Sequence, residues 1–471
     1  MRHAVSLLAL SLLAAPALAN DATGLDAGDI ATAETLREQA MAGSAAWDIV
    51  ESLTTEVGPR LAGTPADARA VAWARAKFES LGFDKVYLEP VTFPVWLRHR
   101  EQAAVLAPAP QPLVVTALGG SVGTGGQPLQ APIVEFATLD ALKAAPEGSL
   151  AGKIAFISNR MERFRDGRGY GPAVGARSNG AVEAARKGAV AVLIRSIGTS
   201  HDRFAHTGVM RYADDVPRIP AAALSNPDAD QLVRLLGRGQ EVTVSLDISA
   251  ETVGEYTSHN VIGEITGREL PGEVVTLGGH LDSWDQGTGA IDDGAGVGIT
   301  MAAGALVGKL GQAPRRTVRV IAYANEEQGL FGGKAYAEAR AAAGEIDAQQ
   351  LGAESDFGAG RVYALRAGVD PAAWPVIVKI GEVLAPLGVV TEREGGSPGP
   401  DVGPIVAKGA PWAQLAQDGT DYFDYHHTPN DTLDKIDPKA LDQQVAAYAV
   451  LAYLAAETEV DFGRAPAAPA K

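Results

Sequence analysis

Carboxylates and imidazoles gather in separated segments of this chain, and their spacing suits a metal centre that hydrolyses amides. The first segment, GGHLDSWDQGTGAIDDGAG, carries His280, Asp282, Asp292 and Asp293. His280 can offer a ring nitrogen to a metal while Asp282, two residues on, accepts the other ring N–H and fixes the tautomer. Asp292 follows a glycine-rich loop whose small residues let backbone approach an ion closely. The second segment, YANEEQG, sets Glu326 and Glu327 at the end of an apolar run. Neighbouring carboxylates at a strand end point apart, so one can bind metal while the other faces a metal-bound water. The third, YHHTPNDT, offers His426 and His427, with Asp431 or Thr432 to support the loop. Asp356, in AESDFG, is a further candidate that spacing alone does not prefer to Glu354.

Taken singly, each segment has a plainer reading. A lone His-x-Asp is usually structural, two acids can simply open a helix at its positive end, and a His pair in a polar loop is usually surface. Together they describe a site. Imidazoles and carboxylates without a thiolate suit zinc, cobalt or manganese, and an Asp bridging two ions roughly 3.5–4 Å apart is the usual two-metal arrangement. Such a centre makes hydroxide at neutral pH and polarises a scissile carbonyl, while a nearby Glu passes the proton to the leaving amine.

The segments must ride on elements that end in one place. From Asn260 onward strands and helices alternate as in a doubly wound α/β sheet, whose sites lie beyond the carboxyl ends of the strands. Val274–Gly279 is a predicted strand ending at His280, and Gly294–Val307 a small-residue helix. Val318–Ala324 is a second strand, ending at Asn325-Glu326-Glu327, and a helix follows from about Leu330 to Arg340. The last helix spans about Pro438–Glu457. Upstream, Thr32–Phe83 reads as helical with a turn at 57–64, after which Thr64 or Asp67 caps a helix that stops at Gly82. Between Leu113 and Val253 short strands and Gly-rich turns predominate, with a strand at Ile154–Ser158, a helix at Asn179–Lys187 and a strand at Ala189–Ile194. That block reads as a β-rich accessory insertion.

Composition narrows the functions further. The chain has 471 residues, 46% of them hydrophobic and 21% charged, enough for two or three packed domains. Forty basic against 57 acidic residues give −17, which speaks against nucleic acid as a partner. The absence of cysteine removes disulfides, thiol nucleophiles and thiolate ligands. Arg2, the apolar run Ala4–Ala15 and Ala17-Leu18-Ala19 read as a secretory signal cleaved after Ala19. Cleavage would take the formal charge from −17 to −18 by removing Arg2 alone. The mature protein is expected in the periplasm or the medium, without a membrane attachment. The expected divisions are a signal peptide at 1–19, catalytic residues at 20–112, the insertion at 113–253, the main catalytic domain at 254–458 and a disordered tail at 459–471.

In order along the chain, GPRLAGT, GAVEAARKGAVAVLIRS, HTG at His206–Gly208, HLDSWDQGTGAIDDGAG, EEQG, ESD and HHTPNDT resemble the co-catalytic dizinc exopeptidase family. That family includes secreted bacterial aminopeptidases and glutamate carboxypeptidases, and the insertion motifs point to its carboxypeptidase Q, or plasma glutamate carboxypeptidase, subfamily. The likeness runs from about Thr54 to Glu457. It implies a phosphorylase/hydrolase-like catalytic domain with a doubly wound mixed sheet, a protease-associated insertion that caps the site, and two zinc ions per subunit. Asp292 would bridge the ions, His280 and Asp356 would complete one, and Glu327 and His427 the other. Glu326 would be the general base, Asp282 would orient His280, and the Asp292–Asp293 peptide would be cis. His427 is preferred to His426 because the family's Thr-x-x-Asp spacing follows it. Arg177, Asn179, Arg195 and His206 would face substrate or a second subunit, with surface charge and helix capping as the plainer reading. A homodimer is implied by the resemblance alone. No expected ligand is missing; the variable neighbourhood of Asn430 leaves the pocket shape open.

The expected activity is removal of one residue from short peptides or dipeptides, as an aminopeptidase or a dipeptidase. Carboxypeptidase or N-acyl amidase action at the same dizinc site, and a non-catalytic peptide-binding protein, are the alternatives. Carboxylates such as Glu326 and Asp356 suit a free amine. A C-terminal carboxylate would need an arginine clamp, for which Arg177 and Arg195 are candidates.

Overall fold

The computed structural model describes residues 22–466; the signal peptide expected at 1–19 lies outside them. Leu270–His280 is an interior strand of a mixed sheet that joins fourteen strands among the described residues. Arg316–Tyr323 runs parallel to it on one side and Gln349–Glu354 on the other. Trp412–Gln417 continues parallel, Val362–Gly368 follows antiparallel, and the short strand Val390–Thr391 closes that side.

Parallel strands covered on both faces have no polar side to show. Arg316–Tyr323 is accordingly buried at every position. Its Val318, Val320 and Ala322 join the large core beneath Ala295–Gly308 and Pro438–Glu457, while Ile321 and Tyr323 pack on the other face with Tyr336 and Ile405. The helical run Ala290–Gly308 is long and apolar enough to cross a membrane, and it is buried in this core. Register then decides where chemistry can gather. Tyr323 lies opposite His280 and Glu354 opposite Gly278, so three strands end nearly level and the loops that follow them meet.

A ribbon of two 23-residue strands, Lys85–Ala107 and Thr243–Ile265, pairs antiparallel along its length and links the two ends of the sheet. The boundary expected at 253/254 falls inside this second strand, because its pairing with Lys85–Ala107 runs on through an exposed stretch at 251–255. Beyond it the sheet continues through Leu129–Phe136, Ile154–Ile157, Ala191–Arg195, Ala221–Leu224 and Val115–Ala117. The segment expected to be β-rich also carries the helices Tyr170–Arg186 and Asn226–Leu236. The first begins well before the expected Asn179, since Pro172 falls in its first turn, where a missing N–H costs nothing.

Two local expectations resolve in opposite ways. Thr64 caps Pro65–Leu81 by accepting from the Ala66 N–H at 3.3 Å, and Gly82 ends that helix at φ 85°. Asp67 is instead buried, accepting from the Gly63 N–H and the Ser258 hydroxyl. The tail also departs from expectation. Phe462 is fully buried, its N–H donates to Gln350 Oε1, and Asp370 N–H donates to its carbonyl, so residues 459–466 are fastened to the core. One aromatic side chain outweighs the Ala/Pro composition around it.

Candidate metal centre

His280 ends its strand with both ring nitrogens committed. Its Nδ1 lies 3.0 Å from the Asp282 carbonyl, which can only accept, so Nδ1 carries the proton and Nε2 presents a lone pair. Nε2 faces Asp292 Oδ1 at 3.1 Å and Asp356 Oδ1 at 3.6 Å. The Asp282 carboxylate is 3.6 Å from Nδ1, beside the ring it was expected to orient, and it has a second task. Its two oxygens accept the backbone N–H groups of Glu326 and Glu327 at 3.0 and 3.3 Å, tying the second segment to the first.

The other side of Asp292 repeats the pattern. His427 Nδ1 donates to the Thr207 carbonyl at 3.3 Å, which leaves its Nε2 2.8 Å from Glu327 Oε2 and 3.2 Å from Asp292 Oδ2. His426 stacks on His427 at 3.5 Å between centroids, but its Nε2 stands 3.8 Å from Asp292. Geometry therefore favours His427 as the donor. Its φ of 59° lies in the left-handed region that a β-carbon disfavours.

Asp292 thus holds one oxygen toward each imidazole, is 4% exposed, and leaves Oδ2 without a hydrogen-bond partner. Among the described residues, three sets of donors lie close enough to share an ion: His280 with Asp292 and Glu327, Asp292 with His426 and His427, and His280 with Asp293 and Asp356. Asp293 is already spent, since its oxygens accept the N–H groups of His280 and Gly296. A Cβ at Gly279 or Gly296 would lie 2.5 Å or 2.4 Å from that carboxylate, so both positions require glycine. The peptide between Asp292 and Asp293 is cis, as the resemblance implied.

Charge balance points the same way. Burial opposes the ionised form of Asp292, yet the imidazoles of His280 and His427 hold its pKa well below the usual carboxylate range. Burial likewise opposes the charged form of His427, but Glu327 and Asp292 carry its pKa up to about 9. Burial pushes Glu327 up to about 6 and Glu326 well above its ordinary value. Buried carboxylates converging on two imidazoles call for divalent positive charge, so this donor set fits a metal ion.

Two supports were invisible in the spacing, and a third acts beyond its own loop. Arg60, fully buried in the turn at 57–64, donates to the carbonyls of Leu281, Thr288 and Gly289 at 2.5, 2.6 and 2.8 Å. Trp284 Nε1 donates to Glu327 Oε2 at 2.5 Å. Asp431, expected to steady its own loop, holds the N–H groups of Ile291 and Asp292, and burial pushes its pKa up to about 7. Of the insertion residues, His206 is buried with Nδ1 donating to the His426 carbonyl at 2.8 Å. Asn179 is exposed. Arg195 is turned inward onto the Ser158 and Asn226 carbonyls and Asp230, so it is no substrate clamp.

Comparison with known proteins agrees with this geometry. Residues 260–452, which include every residue of the centre, match the profile of Peptidase family M28. Carboxypeptidase Q of Mus musculus is 35% identical over 86% of this chain and 84% of its own length. The crystal structure of a peptidase M28 precursor from Shewanella amazonensis SB2B superposes with a TM-score of 0.91 at 55% identity, covering 93% of this chain and 99% of that one. A zinc aminopeptidase from Bacillus subtilis shares the fold, with a TM-score of 0.63 at 21% identity over 89% of this chain and 97% of that one. A chain this similar along most of its length, with these donors at the ends of these strands, belongs to peptidase family M28 and is a metallo-exopeptidase.

Proposed function

We propose that the protein is an exported zinc exopeptidase that removes one residue from short peptides or dipeptides, with two zinc ions per subunit. The observation that carries this is Asp292, whose two carboxylate oxygens face the free Nε2 atoms of His280 and His427 at 3.1 and 3.2 Å. His280 and Asp356 would hold one ion, Glu327 and His427 the other, and Asp292 both. Zinc bound there supplies a Lewis acid that polarises the scissile carbonyl and makes water more acidic.

The chain's own residues do the rest. Glu326 takes the proton of the attacking water and delivers it to the leaving amine. Asp282 keeps Glu326 and Glu327 in register through their backbone N–H groups, so base and ligand diverge from one fixed point. Glu326 and Asp356 hold the substrate's amine. Trp284 orients Glu327, and Asp431 fixes the backbone on which Asp292 turns. A cavity of about 260 Å³ lined by Asp356, Phe357, Tyr363, Arg366 and Pro398 opens beside the centre and supports a substrate of a few residues.

The test is hydrolysis by the mature protein of free dipeptides, N-blocked dipeptides and aminoacyl anilides, with and without chelator. Cleavage of free dipeptides and anilides that stops with chelator and returns with zinc supports this reading. Cleavage of N-blocked substrates alone replaces it with a carboxypeptidase or N-acyl amidase.

A further inference from the structure

The Tyr170–Arg186 helix brings to this centre a cation that no carboxylate neutralises among the described residues. Arg177 is 6% exposed. Its Nη2 donates to the Tyr170 hydroxyl, while Nε and Nη1 are buried without a hydrogen-bond partner. Other buried arginines are satisfied: Arg195 pairs with Asp230 at 2.9 Å and Arg319 with Glu264 at 2.7 Å, while Arg60 spends its N–H groups on backbone carbonyls. A guanidinium cannot shed its proton, and an unpaired buried charge is among the costliest things a fold can keep. Such a group is explained when a ligand brings the counter-charge.

The guanidinium lies beside the metal centre, on the Nδ1 edge of His427. A Cβ built on Gly208 would lie 2.3 Å from Arg177 Nη1 and 2.8 Å from His427 Nδ1, so both groups flank one small gap. The Tyr170 ring lies 5.8 Å from that of His426. Burial raises the pKa of the Tyr170 hydroxyl, Arg177 opposes the rise, and Glu326 and Glu327 add to it, which puts the hydroxyl within electrostatic reach of both carboxylates. Those two distances bring Nη1 to no more than about 5 Å from the imidazole that bounds the centre, little beyond the roughly 3.8 Å by which one residue advances the chain.

We propose that Arg177, held by the Tyr170 hydroxyl, anchors the free C-terminal carboxylate of the substrate and thereby selects dipeptides. This rests on the exopeptidase reading above. A guanidinium fork matches a carboxylate, and an anchor so close to the centre leaves space for one residue beyond the scissile bond. Arg177 is the binding residue and Tyr170 a positioning residue.

The test compares kcat/KM of the zinc-loaded enzyme for a free dipeptide and for the same dipeptide as its C-terminal amide. The wild type should favour the acid by about 100-fold, because a site built for a charge leaves that charge unpaired with the amide. Arg177→Gln should bring the ratio close to one, mainly by raising KM for the acid. Arg177→Lys should keep part of the ratio, and Tyr170→Phe should lower it through KM with kcat preserved. Zinc content and unfolding midpoint establish that each variant is folded. Should Arg177→Gln fail to fold, the wild-type ratio and competitive inhibition by the free leaving amino acid, absent for its amide, decide the matter. A wild-type ratio near one, or a variant that loses acid and amide cleavage by the same factor, overturns the anchor while the exopeptidase reading stands. A wild type that cleaves no peptide and no anilide with zinc present overturns both.

Discussion

Arg60→Met should destabilise the protein by about 4 kcal/mol and weaken its hold on zinc. The guanidinium donates to the carbonyls of Leu281, Thr288 and Gly289, which belong to the loop joining His280 to Asp292. Burial lowers the Arg60 pKa, and the charges of Asp431, Asp282, Asp293 and Asp292 oppose that shift. Methionine fills most of the volume and donates nothing. Leaving three buried carbonyls unpaired costs roughly 1–3 kcal/mol each. Removing a buried cation returns part of its desolvation penalty, which brings the net to the roughly 3–5 kcal/mol typical of breaking a buried charged network. Equilibrium unfolding in urea, followed by tryptophan fluorescence with chelator present, measures the stability term. Competition with a chromophoric chelator measures zinc affinity, expected to fall at least about 10-fold because the loop is support for its ligands. Arg60→Lys should recover only part of the loss, since one ammonium cannot span three carbonyls. An unfolding free energy within about 1 kcal/mol of wild type, with zinc affinity unchanged, would refute the idea that Arg60 shapes this loop.

Glu326→Gln should lower kcat by about 10³-fold with zinc content near wild type; loss of zinc instead would mean that base and ligand have been exchanged. His427→Ala should lower zinc affinity far more than His426→Ala, as equilibrium dialysis can show, and the reverse order would transfer the ligand role to His426. Trp284→Phe removes the N–H that holds Glu327 while keeping an aromatic ring, and should cost roughly 10-fold in zinc affinity; an unchanged value would leave Trp284 a packing residue. Sedimentation at micromolar concentration should show a dimer, and a monomer there removes the homodimer suggested by the resemblance.

Much of the candidate centre was legible because its residues stand at the ends of apolar runs. The run into His280 and the run into Glu326 are strands buried on both faces, and such strands declare themselves as continuous hydrophobic sequence. The final helix was legible too, with observed bounds Pro438–Glu457, because Asp437 accepts from the Lys439 N–H before a long apolar stretch. Other elements were misread for local reasons. Tyr170–Arg186 opens with Gly and Pro, which read as breakers although a proline in the first turn is harmless. Residues 459–466 read as a tail because one buried Phe462 carries no periodicity.

By itself, then, the sequence determined the donor types, the exclusion of thiolates, and the strand ends on which His280 and Glu327 ride. These depend on composition and on hydrophobic pattern, which are local. Only the tertiary structure decided that the Asp282 carboxylate holds the backbone of Glu326 and Glu327, and that Arg60 and Trp284 brace the loop and the ligand. It also placed Arg177 beside the centre without a counter-charge. Those roles are contacts between residues far apart in the chain, and they exist only once the level strand ends of one sheet bring the segments together.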